Sequence, residues 1–425
     1  MVYQHQFLTV GRHSVSRRTY LRTASAAAAA TGALSFSELC GLHAEELQRQ
    51  GRAMILLYMQ GGPSQLETFD PKPNHENGGG TKSIATAVPG IQIAEPWNQV
   101  AAAMKDCAVI RSLTNKEGNH QRAQYQLHTG YLPSGSVKHP AFGCSVAQQL
   151  GPRTGDLPAV VSIGRTVGAG FLGVDYEPFV VENPGEMPRN VASAVADKRL
   201  TRRLGLLGDL EKEFAARGAE QVVENHGQLY GKASRMVLSP KVAAFDFQDE
   251  PAELKKKYGE NQFGRGCLLA RRLIEQGVPF VEVRMDGWDT HFDNFERVPE
   301  LAAQVDPAMA TLIADLKERG MFDRTVVLWI GEFGRTPKVN PRSGRDHYPR
   351  VFNGLVAGGG IRGGQAIGAS TADGTAVAER PVTVPDLFTS VCKALQVDPR
   401  HENVSPIGRP MKIVDGGEVV SELFA

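Results

Sequence analysis

Residues 280–294 read FVEVRMDGWDTHFDN: an apolar strand pattern through Val281, Val283 and Met285 that opens into Asp286, Asp289, His291 and Asp293 within eight positions. Asp289 and His291 are two apart, so on an extended segment their side chains share a face and can hold one ion. Further on, Glu332 follows the apolar run VVLWI, a costly place for a carboxylate unless Arg335 or a metal pairs with it. Asp346 and His347 stand together in GRDHYP (344–349); if extended they point apart, so only one of them need be a ligand. Histidine and carboxylate sets without a thiolate suit zinc, manganese or iron, whereas carboxylates alone suit calcium or magnesium. Two such ions bridged by carboxylates would activate a nucleophile and steady both oxygens of an in-line displacement.

Each residue also has a plainer use. Asp293 and Asn294 are equally suited to capping the next helix, and Asp286 to a turn. His291 serves as a structural histidine as readily as many, but Asp289 beside it favours ligation. His75, His139, His226 and His401 lie in polar or turn-like contexts and are expected at the surface. The stretch QGGPSQLETFDPKP (60–73) offers Gln60, Ser64, Glu67 and Asp70 to line a site. GAGFLG (168–173) precedes no helical pattern, which excludes a dinucleotide loop.

The elements that must position these residues alternate along the chain. Strand-like runs occupy 53–59, 107–113, 159–163, 279–285, 325–331 and 351–358, short and apolar as strands buried on both faces should be. Helical patterns lie between them, notably 264–277 and 300–320, the latter ending on Gly320. A polar helical insertion occupies roughly 194–260. This order predicts an α/β fold, a mostly parallel doubly wound sheet flanked by helices, with the active crevice at the carboxyl ends of its strands. The residues of interest all follow strands.

A chain of 425 residues with 41% apolar and 22% charged residues fits one elaborated α/β domain, and its net charge of +1, without unbalanced basic stretches, excludes nucleic acid as a partner. Ser16, Arg17, Arg18, Tyr20, Leu21 and Arg22 spell a twin-arginine export pattern, followed by an alanine-rich run at 24–34 too short to span a bilayer. Residues 1–44 are therefore expected to be a signal peptide cleaved near Ala44, although Leu42 is a poor match to the cleavage rule. Cys40 lacks the small preceding residue of a lipid anchor. The mature form is expected in the periplasm or secreted, without a membrane span, after engaging the twin-arginine translocase. That route carries folded proteins, often with a cofactor already in place, which fits a metal. Cys107, Cys144, Cys267 and Cys392 are far apart and read as core thiols.

The strand-end motifs, taken together, resemble the alkaline phosphatase and sulfatase superfamily. TVVLWIGEFGRTP resembles that family's strand followed by S-D-H-G, with Glu332 at the metal aspartate and Phe333 where the family has histidine. GRDHYPRVF resembles its later histidine motif, which implies a metal role for His347. RMDGWDTH is similar to the strand-borne Asp and His of the second metal, matching Asp289 and His291 with Asp286 as the alternative. QYQLHTGYLP resembles the end of the nucleophile helix, and VTVPDLFTSVCKALQVDP the closing helix. The whole string resembles an uncharacterised, twin-arginine-exported branch of that superfamily.

The resemblance implies a three-layer α/β/α sandwich of the alkaline-phosphatase-like type over 45–425. It implies an exported metal-dependent hydrolase of phosphate or sulfate esters, acting on a small-molecule or glycan ester with one or two divalent ions (zinc, manganese or calcium). Asp289, His291, Glu332 and His347 would be ligands, with Arg335 or Arg122 neutralising anionic oxygens. The family's nucleophile position falls on or next to Asn119 and His120, where no hydroxyl or thiol stands, and the first metal aspartate is replaced by QGG. Either His120 is nucleophile or ligand, with Thr114 a weaker candidate, or a metal-activated water attacks. The alternative is a non-hydrolytic metal- or glycan-binding protein on the same fold.

Overall fold

Nine strands pair into one sheet: β1 (Ala53–Met59), β2 (Cys107–Thr114), β3 (Val160–Ile163), β4 (Phe179–Val181), β5 (Phe280–Met285), β6 (Thr325–Ile330), β7 (Phe352–Gly358), β8 (Gln365–Ile367) and β9 (Val382–Thr383). Their spatial order is β8-β2-β7-β6-β1-β5-β3-β4, with β9 extending β2. Only β7 runs antiparallel to its neighbours in this sheet; the other pairings are parallel. The computed structural model describes residues 51–151, 155–189, 191, 195 and 197–425, and the backbone of an antiparallel pair, Phe7–Val10 with His13–Ser16. Arg17, Arg18, the alanine-rich run, Cys40 and the expected cleavage point at Ala44 lie outside the described residues.

Every residue of β1 and β6 is buried, because both sheet faces are covered. Alternation along β1 sends Ile55, Leu57 and Met59 into one core and Met54, Leu56 and Tyr58 into another. The first core packs against α1 (Asn98–Ala103) and two later helices. The second packs against α2 (His120–Thr129) and α3 (Phe142–Leu150). Next come the inserted helices α4 (Asp197–Phe214) and α5 (Glu220–Leu238), then α6 (Ala252–Tyr258). The first core's remaining helices are α7 (Gln262–Glu275) and α8 (Asn294–Glu318), and α9 (Val384–Leu395) completes the second. Helix, sheet and helix make the three expected layers. No helix among the described residues is long and apolar enough to cross a membrane.

Local rules set several of these boundaries. Gly320 (φ 63°) ends α8, its N–H bonding the Lys317 carbonyl while Met321 N–H reaches Leu316, the paired pattern of a left-handed helix stop. α9 opens with a reciprocal capping box between Thr383 and Asp386. α8 begins six residues before the expected start and accommodates Pro299 and Pro307. Asp293 occupies its N-cap in the left-handed region (φ 50°) without a side-chain capping bond, so the capping expectation holds in position and not in chemistry. The strands β4, β8 and β9 have three, three and two residues, too few to show alternation in sequence. Cys107, Cys144, Cys267 and Cys392 are free and buried.

Candidate metal centre

Three loops at the carboxyl ends of β1, β5 and β6 meet beside the first turn of α2. Gln60 N–H bonds the Met285 carbonyl at 2.9 Å and Trp288 N–H returns to the Gln60 carbonyl at 3.3 Å, so the loops after β1 and β5 are stitched together. Gly61 (φ 117°) permits this approach: a Cβ there would lie 2.3 Å from Asp289 N. Trp288, fully buried, stacks on Trp97 with centroids 6.3 Å apart and anchors the loop that carries Asp289. Burial of such an aromatic stabilises by about 1.5–3 kcal/mol. The loop after β6 closes a two-residue antiparallel ladder, Gly334–Arg335 with His347–Tyr348, which sets His347 opposite Arg335. Gly344 lies so close to the His291 carbonyl that a Cβ would come within 2.1 Å of it.

These contacts bring three imidazoles onto one carboxylate oxygen. Nε2 of His291, His120 and His347 lies 3.2, 3.3 and 3.4 Å from Asp289 Oδ1. His120, Asp289 and His347 offer ligand atoms that all lie within 4.8 Å of one another. The opposite ring nitrogens are each held by an acceptor. His120 Nδ1 meets Glu332 Oε1 at 2.7 Å, His291 Nδ1 meets Asp346 Oδ1 at 2.6 Å and His347 Nδ1 meets the Gly118 carbonyl at 2.8 Å. Carboxylates and carbonyls only accept here, so each Nδ1 carries the hydrogen and each Nε2 of a neutral ring presents a lone pair inward. Nε2 of His291 and of His347 are 3.0 Å apart, a distance that two lone pairs tolerate only with a proton or a cation between them. Nε2 of His120 is buried and makes no hydrogen bond among the described atoms. The donor set therefore fits a divalent metal, with its outer hydrogen bonds already in place.

The same neighbours set the charges of the cluster. Burial opposes ionisation of Asp289, but the hydrogen bond and charge of Arg335, then His120 and His291, draw its carboxyl down to about 2. For His120 burial again opposes the charge, and Glu332 and Asp289 outweigh it, raising the ring above the ordinary histidine value. Burial, then the charges of His120 and Arg335, lower His347.

The expected residues separate into three groups. Asp289, His291, His347 and His120 converge. Glu332 stands behind them: its carboxylate, fully buried, accepts from His120, from Gly61 N–H at 3.0 Å and from the Tyr58 hydroxyl at 3.0 Å. Asp346 supports His291 from the outside. Arg335, fully buried, donates to the Gly61, Gly62 and Arg345 carbonyls and to Asp289 Oδ1 at 2.6 Å, so its guanidinium is committed to protein acceptors. Asn119 caps α2 by accepting from Arg122 N–H.

The remaining expectations lie apart from the cluster. Arg122 is tied at the surface to Glu117, at 2.6 and 2.9 Å, and does not join it. Asp286 pairs with Arg284 at 2.6 Å, and Gln60 Oε1 accepts from the same guanidinium. Asp70 is buried against Lys72 and Ser370, and Ser64 Oγ is buried without a hydrogen-bond partner among the described atoms. Thr114 donates to the Val382 carbonyl. His139, expected at the surface, is buried beneath Tyr131, with ring centroids 4.2 Å apart.

Other supporting residues escaped sequence reasoning. Arg345, fully buried, binds Glu67 through two nitrogens at 2.6 and 3.0 Å and clamps the His347 loop to the loop after β1. Only its place beside Asp346 and His347 hinted at it. The Gly118 carbonyl carries no side-chain signal.

Among solved structures, the fold is similar to PsFucS1 sulfatase from Pseudoalteromonas sp. at 15% identity and a TM-score of 0.38, covering 84% of this chain and 72% of that one. It is similar also to the phosphonate monoester hydrolase of Agrobacterium radiobacter, at 13% identity and a TM-score of 0.38, covering 88% and 77%. The lipoteichoic acid synthase LtaP from Listeria monocytogenes shares 9% identity at a TM-score of 0.37, covering 88% and 80%. No curated protein matches the sequence significantly. Residues 51–424 match the family described as "Protein of unknown function (DUF1501)", and the chain belongs to that family.

Proposed function

We propose that the protein is a metal-dependent hydrolase of phosphate or sulfate esters, with His120, Asp289, His291 and His347 as the ligands of one divalent ion. The observation that carries this reading is the convergence of three Nε2 atoms on Asp289 Oδ1 while each Nδ1 is held from behind. Three imidazole donors suit zinc better than calcium. A bound ion would supply Lewis acidity, polarising an ester oxygen and neutralising developing negative charge. Glu332 and Asp346 fix the tautomers and orientations of His120 and His291, and Arg335 keeps Asp289 ionised and in place. The first turn of α2 presents His120, Gln121 and Arg122, with no hydroxyl or thiol, so the attacking oxygen comes from water and no covalent enzyme ester forms. The strand-end motifs that resemble the alkaline phosphatase and sulfatase superfamily support the ester class.

Metal analysis of the purified protein, followed by assay on aryl phosphate and aryl sulfate, tests the proposal. Bound zinc or manganese with turnover that disappears in His347→Ala is expected. Bound metal without turnover on a broad ester panel would move the assignment to the metal- or glycan-binding alternative. Turnover indifferent to the substitution would remove the site. The pattern at 16–22 supports delivery of the folded enzyme through the twin-arginine translocase, which Arg17→Lys/Arg18→Lys and fractionation of the periplasm would test.

A further inference from the structure

A groove opens beside the metal centre at the same end of the sheet. Val181 pairs with Ile163 and Ile163 with Val283, so Glu182, Arg165 and Arg284 to Asp286 leave β4, β3 and β5 at about one level. With Gln262 and Phe263 of α7 and Leu301 and Gln304 of α8 they line a space of about 460 Å³, within the range of small-molecule sites. Asp286 on its wall is three residues from Asp289, a reach of at most about 10 Å. Hydrogen bonds join the groove to the cluster as well. Half-buried Arg284 donates through Nη2 to Gln60 Oε1 at 3.0 Å, and the next residue, Gly61, donates to the Glu332 carboxylate that holds His120.

The lining selects the occupant. Its charges cancel, Arg165 and Arg284 against Glu182 and Asp286, with Arg284 and Asp286 paired at 2.6 Å, so neither a cation nor a second anion gains a net attraction. A wholly apolar ligand would take water from these groups and return no hydrogen bond. Hydroxyls both donate and accept, and so match guanidinium, carboxylate and amide alike. Gln262 spends its amide nitrogen on the Glu182 carbonyl at 2.9 Å, which leaves its oxygen to accept from such a hydroxyl. Phe263 and Met285, both buried, and Val180, 47% exposed, add apolar surface suited to the C–H face of a sugar ring. We propose that the groove binds an uncharged sugar, so that the substrate is a glycan ester whose acid group meets the metal and whose sugar lies across the ends of β3, β4 and β5. The ester chemistry rests on the function proposed above; the sugar site rests on the groove itself.

Two measurements on the zinc-loaded full chain test it: calorimetric titration with neutral mono- and disaccharides, and turnover of aryl and hexose esters of the same acid, phosphate and sulfate in turn. Val180→Trp fills the groove from an exposed position, and Arg165→Ala removes a donor from its rim. Each is expected to abolish the heat of saccharide binding and to raise KM for the hexose ester about tenfold or more, with kcat, zinc content and aryl-ester turnover unchanged. Saccharide heat that both variants abolish, in a protein that hydrolyses no ester, would keep the sugar site and remove the hydrolase reading. Aryl-ester turnover without saccharide heat in the unaltered protein would do the opposite and overturn the sugar site. So would variants that slow both esters alike, or that leave both unchanged.

Discussion

Two of the histidine and carboxylate sets among the described residues look alike in sequence and differ in what their second nitrogen does. At the rim, His120, His291 and His347 spend Nδ1 on an outer acceptor and turn Nε2 toward a shared point. In the core, His128 spends both nitrogens: Nδ1 contacts the Gln124 carbonyl at 2.9 Å and Nε2 contacts Glu282 Oε1 at 3.1 Å. Glu282 is completed by Thr166 at 2.6 Å, and both members of the pair are buried. The core pair is closed, with no lone pair left for a ligand. On the proposed function, a ligating histidine differs from a structural one in the nitrogen that is left facing a shared point.

The comparison can be broken in several ways. His347→Ala has the largest expected effect on function: the bound ion and ester turnover both disappear, while the urea midpoint of the metal-free protein changes little, as metal analysis and unfolding together would show. His128→Ala should do the reverse. It leaves Glu282 buried and unpaired, at a cost of about 3–5 kcal/mol in urea unfolding, without changing metal content per folded chain. Glu332→Gln keeps the shape but loosens the hold on His120, and metal affinity should fall by about 10–100-fold in a chelator competition.

Acid should separate the two sets further. Burial opposes the charge on His128, but Glu282 outweighs it and raises the ring above its ordinary value. Its contribution to stability is therefore full below about 6.5 and is lost as pH rises through the elevated value. Metal binding at the rim runs the other way, weakening as pH falls and the imidazoles take up protons. Opposite slopes in unfolding and in metal titration would sharpen the contrast, and parallel slopes would erase it. The smallest expected effect is that of Arg122→Ala, which should leave metal content and turnover unchanged.

Much of the fold was legible because buried strands advertise themselves: β1 and β6 are almost wholly apolar, and β2, β5 and β7 largely so. Asp289, His291 and His347 stood out because carboxylates and imidazoles are expensive directly beyond such strands. The roles of Glu332 and His120 were harder to read. Sequence position put both near the cluster, but only the fold shows that the Glu332 carboxylate meets the ring nitrogen of His120 that faces away from Asp289. Arg122 failed because its neighbour Glu117 satisfies it locally, a competition that motif matching does not weigh. The His128–Glu282 pair was invisible because its members are 154 residues apart in the chain and only the fold brings them together.

X-ray absorption on the zinc-loaded protein tests the central claim most directly. The account predicts a first shell of imidazole nitrogens and carboxylate oxygen at about 2.0–2.2 Å, with outer-ring scattering from several histidines that weakens in His120→Ala. An all-oxygen shell, or a spectrum that His120→Ala leaves unchanged, would contradict it.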